Sequence, residues 1–288
     1  MNEIQQRQIQ GFLARDYSFS VSDFLRKGWE IYKQNAGGFI GFLFLYVLIS
    51  LVANIIPVIG ALANSLVISP ALFAGFYIVS HIINTNEPNN FGDFFKGFEH
   101  WVQLMLMTLV MILIYIVVLS PSIYVFMQSG IVEWYMQVLS NPFDPPSEVP
   151  PVDAKTVGIF FLNMIPLLYL SIAYLWAPMF IVFYRMPFWD ALETSRKMIS
   201  RKWFSMFGLI LSFVGLFILV YIPAILLAIM VPILGIILIV VVVIAAICLA
   251  PVIYTAIYAS FAEATGLLEK EGENGSGDDI LDHLVEDL

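Results

Sequence analysis

The chain has 288 residues, of which 60% are apolar and only 12% charged, and its formal net charge is −9. Soluble domains carry about 45–50% apolar and about 25% charged residues, so this composition, with a mean hydropathy of +0.88, excludes a water-soluble globular domain. Nucleic acid is not an expected partner either, because the basic residues are spread along segments that flank the apolar runs.

Met1–Tyr17 reads as a polar lead. It has no apolar core of about 7–15 residues, so the first span, rather than a cleavable leader, is expected to direct insertion. Ser18–Asn35 then reads as a helix lying on the membrane surface. Val21, Phe24, Leu25, Trp29 and Tyr32 recur at helical spacing, and Ser20 or Ser22 is available as a cap. The uncharged apolar runs Gly37–Ile56 and Ala61–Ile83 follow. Each is about the 20 residues that a helix needs to cross roughly 30 Å of hydrocarbon.

The same order recurs. Phe91, Phe94, Phe95, Phe98 and Trp101 form a second amphipathic stretch, with Asn90 or Gly92 at its start, ahead of the runs Trp101–Phe126 and Val157–Tyr184. Phe188, Leu192, Ile199 and Trp203 mark a third, ahead of Phe204–Met230 and Ile233–Phe261. An aromatic face flanked by Lys and Arg is the composition of an interfacial helix. Such helices either anchor the span that follows or build a site for headgroups or substrate. The expected fold is therefore all-α and polytopic. It has six transmembrane helices arranged as three repeats of a surface helix plus a two-span hairpin, at about 18–83, 90–184 and 187–263 of a membrane domain covering 18–266.

Two sets of residues recur with the repeats. Asp23, Asp93 and Asp190 each stand early in a surface helix, where a carboxylate meets free N–H groups, and are read as helix caps. Pro70, Pro178 and Pro251 fall inside the second span of each unit, where the missing N–H invites a kink. Unit two departs from the others at 127–156, a proline-rich, acidic insertion in place of a tight turn. A functional loop and a tolerated insertion are equally compatible with it.

The tail, 267–288, carries eight acids and one lysine. Ile280, Leu281, Leu284, Val285 and Leu288 form one apolar stripe there, too short for a stable isolated helix. It is expected to fold on a protein partner or on the basic face of its own bundle. With six spans, every Lys and Arg except Lys155 lies on the side of both termini. The positive-inside rule makes that side cytoplasmic and places the protein in the cytoplasmic membrane among its lipids.

Few residues carry chemistry. The spans hold no Asp, Lys or Arg, which argues against ion-coupled transport. Asn54, Asn64 and Asn163 read as interhelical hydrogen-bonding groups, and the lone Cys248 as a buried thiol. His81, Asp93, Glu99 and His100 come near one membrane face, but no metal site, cofactor or catalytic constellation is expected from them.

The run Trp176-Ala177-Pro178-Met179-Phe180, with Asp190-Ala191-Leu192-Glu193-Thr194-Ser195-Arg196-Lys197-Met198 and Phe91-Gly92-Asp93-Phe94-Phe95-Lys96-Gly97-Phe98, resembles a group of bacterial multi-pass proteins. That group includes the membrane domain fused to some glycerophosphodiester phosphodiesterases. The resemblance implies a membrane location and a similar fold. It implies no catalytic residue, because in those proteins the phosphodiester chemistry belongs to a separate soluble barrel. Two functions remain: a non-enzymatic scaffold or accessory subunit working through its surface helices and acidic tail, and a permease or handling protein for lipids or small amphiphiles.

Overall fold

A computed structural model describes residues 3–141, 143, 146 and 148–269. Every element among them is helical. Six helical stretches are long and apolar enough to cross a membrane: Ala36–Ala53, Ile59–Asn84, Phe91–Gln128, Ala154–Tyr184, Trp203–Met230 and Pro232–Thr265. The protein is an integral, multi-pass membrane protein. The chain divides into two compact units, 1–107 with 173–288, and 108–172.

In the larger unit the first helix, α1 (Glu3–Ala14), precedes α2 (Val21–Gln34) and the first span α3 (Ala36–Ala53). The segment that reads as a polar lead is thus mostly helical, and its Phe12 and Tyr17 are buried. Phe12 packs edge-on against Phe180 and Tyr184, and the Tyr17 hydroxyl donates to the carbonyl of Met198 at 2.9 Å. Two such anchors in a polar stretch have no periodicity to reveal them.

The second span starts as α4 (Ile59–Ala63), passes through a π-helical turn (Asn64–Ile68) and continues as α5 (Ser69–Asn84). A 3₁₀ helix, Phe91–His100, leads into α6 (Trp101–Gln128). The fourth span is α8 (Ala154–Ala173) and α9 (Ala177–Tyr184), preceded by the short α7 (Ile131–Ser140). Then come α10 (Phe188–Arg201), α11 (Trp203–Met230), α12 (Pro232–Leu249) and α13 (Pro251–Thr265).

The core of the larger unit lies among α5, α9 and α13. Phe76, Trp176, Phe180, Tyr258 and Phe261 are fully buried there, with Phe180 and Phe261 at 5.0 Å between ring centroids. Buried residues make up 67% of an 18-residue stretch of the second span against 6% to 17% in the other spans, which leaves most of their residues to lipid.

Around this core, α2 packs on α13, the 3₁₀ helix on α5, and α10 on α9. Each surface helix therefore rests on the closing span of the preceding hairpin, and α2 closes the circuit on the last one. Glycine makes the approach of the 3₁₀ helix to α5 possible from both sides. A Cβ on Gly97 would lie 2.0 Å from the Ala71 carbonyl oxygen, and one on Gly75 1.9 Å from that of Phe94.

The smaller unit contains most of α6 and α8 with α7. Asn163 donates to Ser122 Oγ at 2.9 Å, and Phe126 meets Phe160 edge-on at 5.8 Å.

A candidate interaction layer on the surface helices

The three aspartates occupy the same place. Asp23, Asp93 and Asp190 are each the third residue of their helix, one turn inside the capping residues Ser20, Asn90 and Pro187. Ser20 Oγ accepts from the Asp23 amide at 3.4 Å. Asp93 reaches back to accept from the Asn90 amide at 2.6 Å, the reciprocal half of a capping box. Asp190 makes no such bond, because Pro187 has no N–H to offer, and acts on the helix N-terminus through its charge.

Pro70, Pro178 and Pro251 each begin a new helical segment. Pro70 and Pro178 are second residues of α5 and α9, and Pro251 is the first of α13. A first-turn proline forfeits no helix bond; the cost falls on carbonyls just before it. Those positions have side-chain partners from elsewhere. The Tyr32 hydroxyl of α2 donates to the Cys248 carbonyl at 2.8 Å, and Ser195 Oγ of α10 donates to the Ala173 carbonyl at 2.7 Å while accepting from the Trp176 amide at 3.2 Å. Beside the π turn, Ser50 of α3 and Ser69 both donate to Asn64 Oδ1, at 3.2 and 3.4 Å. By contrast, Pro121, Pro166 and Pro223 lie inside uninterrupted helices.

Ion pairs stud the layer. Lys27 meets Glu263 at 2.9 Å, Lys96 meets Asp93 at 3.0 Å, and Arg196 and Lys197 share Glu193 at 2.8 and 3.2 Å. Hydrogen bonding from Arg196, aided by Lys197, holds the Glu193 carboxyl down at about 2. The Ser20 hydrogen bond and the Arg26 charge likewise depress Asp23. Burial pushes the Tyr17 phenol up to about 12. Arg15 holds Glu269 at 2.8 Å, and Arg201 donates to the carbonyls of Leu13 and Arg15, tying α1 to α10.

Exposed aromatics edge the charges: Trp29, Phe91, Trp101, Trp189 and Phe204. The Lys33 ammonium sits 6.0 Å above the Trp29 ring. Cationic heads over amphipathic rings suit anionic headgroups or an acidic partner.

Among the described residues no three His, Cys, Asp or Glu gather as a metal ligand set. His81 Nδ1 instead shares a 2.8 Å hydrogen bond with the Tyr258 hydroxyl, and its ring packs on Phe183. The tail stripe Ile280, Leu281, Leu284, Val285 and Leu288 lies outside the described residues. Tyr32, Ser195 and Tyr17 did not stand out in the sequence. Tyr32 was visible only as one apolar position of a stripe, since a side chain's distant carbonyl partner leaves no local pattern.

The chain matches no protein-family model, no curated protein and no solved structure.

Proposed function

We propose that this protein is a non-enzymatic scaffold or accessory subunit of the bacterial cytoplasmic membrane, built from three repeated units, with both termini cytoplasmic. It works through its surface-helix layer and its acidic tail. The observation that carries this reading is where the packing goes. The helices α5, α9 and α13 close on large aromatic side chains with no exposed area, Trp176, Phe180, Tyr258 and Phe261 among them. A packed centre of this kind favours a platform over a conduit. Glu269, the last described residue, pairs with Arg15, and Arg201 donates to the Arg15 carbonyl, so the acidic segment begins against basic side chains of the surface layer.

Mass spectrometry of the tagged protein in native nanodiscs, with and without residues 267–288, tests the proposal. A stoichiometric protein lost with the tail supports it. No co-purifying protein in either form counts against it.

A second reading, the handling of lipids or small amphiphiles, draws on one groove. Leu48, Ile49, Val52 and Ala53 of α3 and Ile68 of the π turn line an apolar recess of about 400 Å³. A lipid retained by both forms, without a protein partner, moves the assignment to that reading.

A further inference from the structure

Where α6 ends and α8 begins, the smaller unit holds an open polar cleft of about 310 Å³, at the small end of the range of ligand sites. Its polar lining comes from Tyr124, Gln128 and Ser129 on one side and from Asp153, Lys155 and Thr156 on the other. At 28 residues, α6 is about 42 Å long, well beyond the roughly 30 Å of hydrocarbon. Its last turn, and the first turn of α8 beside it, therefore fall at headgroup depth.

Two opposite charges face this cleft. Asp153 immediately precedes α8 and accepts from the Thr156 amide at 2.9 Å. Hydrogen bonds from Thr156 hold its carboxyl below the usual range, so it stays ionised at neutral pH. Lys155 is the sole Lys or Arg between Lys96 and Arg185. Its charge acts on Asp153 without a direct ion pair, and the Gln128 amide lines the cleft on the α6 side. The exposed apolar residues Ile123, Met127 and Val157 stand on the same helix ends, offering contact to acyl chains.

We propose that this cleft binds a phosphate carrying a primary ammonium, as in the headgroup of an aminophospholipid, with Lys155 and Gln128 on the phosphate and Asp153 on the ammonium. The ligand carries one charge of each sign, as the cleft lining does, so each charge of the protein meets an opposite one. Free phosphoethanolamine has the same polar chemistry without the chains. This inference is independent of the scaffold reading, which concerns the other helix ends.

The test is native mass spectrometry from nanodiscs holding equal phosphatidylethanolamine and phosphatidylcholine of matched chains, for wild type, Lys155→Gln and Asp153→Asn. Asparagine keeps the helix cap, and unchanged melting of both variants certifies the fold. The expected result is at least fivefold preferential retention of phosphatidylethanolamine by wild type, a preference lost in Asp153→Asn, and weaker retention of both lipids in Lys155→Gln. Displacement by free phosphoethanolamine assigns recognition to the headgroup alone; retention despite it assigns the site to the intact lipid. Equal retention of the two lipids by wild type, a preference surviving in Asp153→Asn, or undiminished retention by Lys155→Gln overturns the proposal.

Discussion

The Tyr32 hydroxyl lies 2.8 Å from the Cys248 carbonyl, 216 positions away in the sequence. That carbonyl lies just before the interruption at Ala250, where the final span changes from α12 to α13. A surface helix thus supplies to the broken span the hydrogen bond that lipid cannot. Tyr32→Phe keeps the ring and removes the donor, and should cost about 1 kcal/mol, read as a lower melting temperature in detergent. Ser195→Ala strands both the Ala173 carbonyl and the Trp176 amide and should cost more, about 2 kcal/mol. Equal melting of S195A and wild type would show that these bonds do not hold the break.

Glycine spacing yields a sharper contrast. Gly75→Ala and Gly97→Ala each place a methyl against backbone, at 1.9 and 2.0 Å, where no side chain can swing away. Both variants should lose monodisperse protein on size exclusion. Gly92→Ala and Gly158→Ala meet nothing within 4 Å and should elute as wild type does.

The spans and surface helices were readable because a bilayer writes long uncharged runs and amphipathic stripes into sequence. The aspartates were readable as early-helix residues, although Ser20, Asn90 and Pro187 hold the capping positions themselves. Hidden from the sequence were contacts between elements far apart. Phe12 and Tyr17 sit in a polar stretch, and Ser195 looks like any small residue of a helix until Ala173 is brought beside it. The cleft was half visible: Lys155 stood out as the lone basic residue of its region, but its neighbours across the gap lie at the end of another helix.

Acid should weaken the layer in a defined window. The Glu193 carboxyl titrates at about 2 in the folded protein against 4.5 when unperturbed. A depressed carboxyl contributes stability that is complete above the unfolded value and is lost as pH falls toward the folded one. Melting temperature should therefore decline from about pH 4.5 to about pH 2 through this group, and more shallowly in Glu193→Gln. The residue is partly exposed, so at neutral pH the variant should lose well under about 1 kcal/mol.

Alkali should act on the segment between α1 and α2 in the opposite sense. The Tyr17 phenol is raised from 10 to about 12 by burial. A raised pKa contributes stability that is complete below the unfolded value and disappears as pH climbs through the folded one. Wild type should lose melting temperature between pH 10 and about 12, and Tyr17→Phe should lose less over the same interval. Parallel curves for the two proteins would show that the buried phenol does not control that loss.

The seating of α2 on α13 also bears on biogenesis. Thr255 Oγ1 donates to the Gly28 carbonyl at 2.8 Å, joining residues whose syntheses are 227 codons apart. At about 5–20 residues per second, α2 emerges from the ribosome ~10–45 s before the surface it belongs on exists. Through that interval its Phe24, Ile31 and Tyr32, buried in the finished protein, have only lipid or a chaperone to cover them. Insertion of this chain can proceed hairpin by hairpin, yet its tertiary structure is completed only by the last span, so a ribosome stalled before α13 leaves behind an open circuit rather than a smaller working protein.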